Sequence, residues 1–155
     1  MFQMSRLADY GMVILIHAAR GKHDGIHTAR NVAEDTGLPF PTVTKLLKML
    51  ERGGVLCSHR GPQGGYRLAR PSEEISVVDI IKAVDGTPGL TQCNLHPVAT
   101  CEREATCSAK DSWRLVSQTM TRALTGLTLA DMAGQLSETG VEQRIAESIS
   151  NRHAV

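Results

Sequence analysis

The chain lacks any apolar run approaching the roughly 20 residues that cross a bilayer. Its longest such stretch, Met12 to Ala19, is broken by His17, so no membrane role is expected. The first residues, MFQMSRLADYG, hold no cationic segment leading into an apolar core and a small-residue cleavage site. The expectation is a cytoplasmic, unprocessed protein. There is no CxxC pair and no nucleophile flanked by a base, which removes the usual starting points for a thiol oxidoreductase, and no enzyme is expected. Internal repeats and low-complexity segments are missing too. What remains is 155 residues, 41% hydrophobic and 21% charged, enough for one ordinary domain with an appended element.

Net charge is also almost absent, at +1, but it is unevenly laid out. Residues 1–70 carry 10 Lys/Arg against 5 Asp/Glu, and residues 71–155 carry 7 against 11. Six cations, Lys45, Lys48, Arg52, Arg60, Arg67 and Arg70, share one stretch with a single acid, Glu51. Charge concentrated this way suits a polyanion.

Leu7, Tyr10, Ile14, Leu15 and Ala18 recur at helical spacing and predict a first helix over 5–20. Thr28 caps a short second helix that Gly37 stops, and a third starts near Pro41 and runs to Gly53-Gly54. On that third helix Val43, Leu46, Leu47 and Leu50 form one face; Thr42, Lys45, Lys48, Met49 and Arg52 lie opposite. Two helices across a short turn make a helix-turn-helix. The strand-like segments 55–58 and 66–69 flank HRGPQGG, a hairpin turn and therefore a wing. Ser76 then caps a helix with Val77, Ile80, Ile81 and Val84 on its apolar side. The fold class expected is mainly α with a small β-hairpin: a winged helix-turn-helix domain plus a long dimerisation helix.

That long helix begins at Ala109, where Trp113, Val116, Met120, Leu124 and Leu127 form a seam. With no second such helix in the chain, the expected partner is another copy. The organisation expected is a DNA-binding domain over 1–86, a cysteine loop over 87–108, the dimerisation helix over 109–135 and a polar, disordered tail over 136–155.

The loop holds Cys93, Cys101 and Cys107 in the pattern C-x7-C-x5-C. Zinc knuckles place two cysteines within a few residues of each other, and this loop does not. Separated thiolates on one loop can wrap a larger object, and thiolate is the usual ligand of iron-sulfur clusters. Cys57, in the wing, reads as an ordinary strand residue. Three thiolates leave a fourth position open, for which His96 in the loop and Asp9, directed off the apolar face of the first helix, are the candidates.

With these residues in view the chain resembles the iron-sulfur winged-helix regulators of the IscR and NsrR type, and most nearly the regulator of the SUF cluster-assembly operon. The resemblance rests on LADYG, PTVTKLLKMLERGG, RGPQGGYRLARP, ISVVDIIKAVDG, the three cysteines and WRLVSQTMTRALTGLTLADM, and covers about residues 4 to 134. It implies a homodimer bound to a double-stranded DNA operator, repressing iron-sulfur assembly genes under control of a cluster, [2Fe-2S] ahead of [4Fe-4S]. Cys93, Cys101 and Cys107 fall at its cluster-ligand positions; Thr42, Thr44 and Lys45 at the start of its recognition helix; Arg60 at its wing arginine. Where IscR has a histidine ligand three residues after its last cysteine, this chain has Lys110. Asp9 matches the first-helix acid that NsrR-like members donate across the dimer. Lys45, Lys48 and Arg52, with Arg67 and Arg70 flanking, are expected to neutralise phosphates. The alternative is a redox-, nitric-oxide- or zinc-responsive regulator using the same cysteines.

Overall fold

The computed structural model describes residues 4–21, 25–61, 64–91, 101–102, 105–135 and 138–150. Helix α1, Arg6–Arg20, opens where Ser5 Oγ accepts the Ala8 N–H, satisfying a donor the helix leaves unpaired. Helix α2, Ala29–Thr36, is capped by Thr28 and ends at Gly37, whose φ of 70° is the left-handed geometry that glycine adopts without a Cβ penalty. Helix α3, Phe40–Arg52, starts one residue before Pro41 and closes at Gly53. A Cβ at Gly53 would lie 2.3 Å from the Ala83 Cβ, so a side chain there would push α3 off the helix beside it.

Strands β1, Leu56–His59, and β2, Gly65–Leu68, pair antiparallel with Cys57 opposite Arg67 and Ser58 opposite Tyr66. His27 adds a bridge on the far edge of β2: its N–H donates to Tyr66 O at 2.8 Å and its carbonyl accepts from Tyr66 N at 2.9 Å. The segment before α2 is therefore tied to the wing. Helix α4, Val77–Asp85, carries the full reciprocal cap expected of Ser76, with Asp79 returning the bond.

The core lies among α1, α3 and α4. Ile14, Leu15, Leu46, Leu47, Leu50, Ile75 and Ile80 are each at most 1% exposed. Burying an aliphatic side chain to this degree contributes about 1.5–3 kcal/mol, so this cluster fixes how the three helices cross.

Helix α5, Lys110–Thr125, departs from the single-seam expectation. Leu124 and Leu127 pack on the winged-helix core, whereas Trp113, Leu115 and Val116 are exposed. The chain after α5 is stitched back into the domain: Val77 N donates to Leu127 O at 2.9 Å, Leu129 N to Ile75 O at 2.8 Å, and Leu129 is fully buried. The seam thus has an intrachain partner over its last turn, while Trp113 and Val116 in its first half stay 46% and 48% exposed.

The tail expected to be disordered over 136–155 is instead helical over Glu138–Ser150, here α6, and packs along α5. Its polarity concealed two anchors. Arg144 ion-pairs with Asp131, and Ser148 Oγ donates to Arg122 O at 3.1 Å, where Gly126 leaves room for it. Asp131 is buried, and its carboxylate accepts from Thr128 N at 2.9 Å and Thr128 Oγ1 at 2.7 Å. Burial pushes its pKa up, but the Thr128 bonds and Arg144 outweigh that and hold the carboxyl below the usual range.

Candidate nucleic-acid interface and cysteine segment

Amphipathicity sorts α3 into two faces. The inner face is the buried set Val43, Leu46, Leu47 and Leu50, which leaves Lys45, Lys48 and Arg52 exposed on the other side. None of these three cations makes an ion pair with another described residue, so their charge is open to an outside partner. Thr42 and Thr44 are half-buried, and Thr44 Oγ1 donates to Phe40 O at 3.0 Å. That bond turns the Thr44 hydroxyl proton back onto the helix.

In the wing Arg60 is exposed at the end of β1. Arg67 projects from β2 with its Nε 3.4 Å from the Cys57 Sγ. Cys57 is a half-buried free thiol on β1, its Sγ 3.9 Å from the Leu68 carbonyl of the paired strand. Arg70 is engaged differently from the other cations: it ion-pairs with Asp79 at 3.4 Å and donates to Glu74 O, bracing the start of α4. Glu51, the lone acid of the cationic stretch, accepts from Ser58 Oγ. Its charge is drawn toward β1 and away from the α3 cations.

Below the wing, His17 and His27 meet edge to face with ring centroids 5.3 Å apart, and His17 Nε2 lies 3.4 Å from Asp35 Oδ2. Burial and the neighbouring His17 lower the His27 pKa, with Asp35 opposing, so the fold favours neutral His27.

The cysteine segment leads directly into α5. Cys101 is half-buried and Cys107 exposed, both as free thiols, and Lys110 N donates to Cys107 O at 3.3 Å where the helix begins. Upstream, Leu90 N donates to Ser117 Oγ at 3.3 Å, so the chain entering the loop is held against α5 as well. Cys93 and His96 lie outside the described residues. Asp9 is exposed in the first turn of α1. Among the described residues no three His, Cys, Asp or Glu side chains converge as a metal site. The donor chemistry nonetheless suits a cluster, because two thiols of the expected three are unpaired and reachable on one short segment.

Spacing and charge located the cations, but they missed Phe40. It is 53% exposed at the first residue of α3.

A helix-turn-helix with an unpaired cationic outer face, followed by a two-stranded wing, defines a winged-helix DNA-binding regulator. The comparisons agree: the Rrf2 family, described as an iron-dependent transcriptional regulator, matches residues 4–135, and the chain belongs to the Rrf2 family. A putative HTH-type transcriptional regulator of Mycobacterium tuberculosis is 30% identical over 132 residues, 85% of this chain and 81% of the relative. The HTH-type transcriptional regulator IscR of Photobacterium profundum is 27% identical over 142 residues, 92% of this chain and 81% of that one. The structure of T. potens IscR superposes with a TM-score of 0.65 at 28% identity, covering 89% of this chain and 90% of the other. The protein is a transcriptional regulator and not an enzyme. No helix among the described residues is long and apolar enough to cross a membrane.

Proposed function

We propose that this regulator senses an iron-sulfur cluster and, as a homodimer, represses genes of iron-sulfur cluster assembly. The observation that carries the reading is mechanical. The cysteine segment abuts α5 through the Cys107 carbonyl, and the other end of α5 is bonded into the winged-helix core through Leu127 and Leu129. A change of ligation at the cysteines therefore has a rigid path to the reading head. When bound, a cluster would supply a redox- and iron-sensitive group held by Cys93, Cys101 and Cys107, with [2Fe-2S] ranked ahead of [4Fe-4S]. Asp9, exposed and in no grouping of ligands among the described residues, is free for donation to the partner subunit's cluster. The exposed Trp113, Leu115 and Val116 supply an apolar face for that second copy.

On the DNA, Lys45, Lys48, Arg52 and Arg67 neutralise phosphates, Thr42 and Thr44 face base edges in the major groove, and Arg60 enters the minor groove. Cytoplasmic location follows from this role.

Anaerobic purification with iron and sulfide analysis tests the reading. Visible absorbance that disappears in Cys101→Ala and Cys107→Ala is expected. Colourless protein carrying zinc, or protein whose thiols respond to oxidant with no iron bound, would replace it with direct thiol or zinc sensing.

A further inference from the structure

Seven large apolar side chains are exposed among the described residues, and Phe40 is the one that belongs to the helix-turn-helix. It stands at the first residue of α3 beside a shallow cleft lined by Arg30, Ala33 and Glu34 of α2. One turn on, the Thr44 hydroxyl donates to the Phe40 carbonyl, so its donor is used within the helix while its oxygen can still accept and its methyl adds apolar surface beside the ring. A further turn on is exposed Lys48. Positions 40, 44 and 48 share a strip of the helix, apolar at its beginning and cationic at its end. At the head of this strip stands an aromatic ring with no polar atom, exposed to solvent, so its own contact with a base edge can only be apolar. The one base-edge group of the major groove that such a surface recognises is the C5-methyl of thymine.

We propose that Phe40 is a specificity-determining residue that, with the Thr44 methyl, packs on a thymine C5-methyl of the operator. The inference rests on the reading of α3 as the groove-entering helix. Arg30, at the rim of the same cleft in the first turn of α2, is placed to meet the adjoining phosphate, which orients the ring toward the base step.

The test uses a duplex enriched by the full-length wild-type protein from a random-sequence pool, and the same duplex with every thymine replaced by uracil, so that only methyl groups are lost. Wild type should bind the uracil duplex about three- to fivefold more weakly for each contacted methyl, the transfer value of one buried carbon group. Phe40→Ala should bind the thymine duplex more weakly and show no further loss with uracil, while Phe40→Leu should keep part of the discrimination. Because Phe40 is half exposed, its truncation leaves the core intact, and an unchanged melting temperature confirms that. An equal uracil penalty in wild type and Phe40→Ala, or no penalty in either, overturns the inference. In those cases Lys45→Ala tells the two failures apart: weakened binding to every duplex leaves α3 in the groove with Phe40 idle, and unchanged binding removes α3 from the interface altogether.

Discussion

The winged-helix half and the α5–α6 half are built on opposite terms. In the first, α1, α3 and α4 bury a shared aliphatic cluster, and the outer face of α3 carries Lys45, Lys48 and Arg52 with no ion pair to another described residue. In the second, α5 has one buried residue, Ser117, and three large exposed apolar ones, and α6 is held by an ion pair and a serine. Under the proposed function, a reading head must keep its shape whatever the signal, and the arm that carries the signal must be able to shift against it. The same chain buries its aliphatic residues mostly in one half and holds the other by a few polar contacts.

Identical substitutions in the two halves should therefore diverge. Leu46→Ala empties a fully buried site and should lower folding stability by about 2–5 kcal/mol in chemical denaturation. Leu115→Ala, at 61% exposure, should change that stability by less than about 0.5 kcal/mol while shifting the monomer-dimer balance in sedimentation. If both variants unfold alike, the contrast between the halves is wrong.

Next in size is Asp131→Ala, which removes the cap at Thr128 and the partner of Arg144 together and should cost about 1–2 kcal/mol, localised to α6 in hydrogen exchange. The pH dependence has a defined sign. The folded-state value lies below the ordinary 3.8, so this stabilisation is complete above 3.8 and is lost as pH falls through the lower folded value. Asp131→Asn should abolish that acid sensitivity of α6 and leave the core of the first half untouched.

Lys45→Ala should weaken binding to all sequences and flatten the slope of log affinity against log salt by about one unit, whereas Thr44→Ala should alter base preference. An inverted result would exchange their roles. The smallest effect is expected at His27. Its folded value is below the ordinary 6.5, so the neutral form is the stabilising one, and stability at the wing joint should decline as pH falls from 6.5 toward that lower value. Hydrogen exchange at Tyr66, whose N–H is bonded to the His27 carbonyl, reads this directly, and His27→Gln should remove the dependence.

The first half was legible in the sequence because its determinants are local and periodic. Val43, Leu46, Leu47 and Leu50 declare the inner face of α3; Thr28, Gly37 and Ser76 declare ends; the glycine-rich turn declares the wing. Contacts that join distant segments left no such trace. The His27 bridge to Tyr66 is a backbone pairing, indifferent to side-chain pattern. Helix α6 is polar because its anchors are, and Asp131 and Arg144 stand 13 residues apart with nothing in the spacing to link them. Arg70 looked like another phosphate ligand because composition does not reveal that Asp79 faces it. Phe40 escaped notice because the helix was expected to start near Pro41, one residue later, which left the ring outside both the apolar set and the cations.

The central claim, that the cysteine segment governs the reading head through α5, is tested most directly by operator affinity measured anaerobically on one preparation, before and after its cluster is removed by chelation. The account predicts visible absorbance at the outset and an affinity change of about tenfold or more on removal, within the usual range of allosteric coupling, with Cys107→Ala protein fixed at the apo value. Equal affinity in the two states, or a Cys107→Ala protein that still responds to chelation, would contradict it.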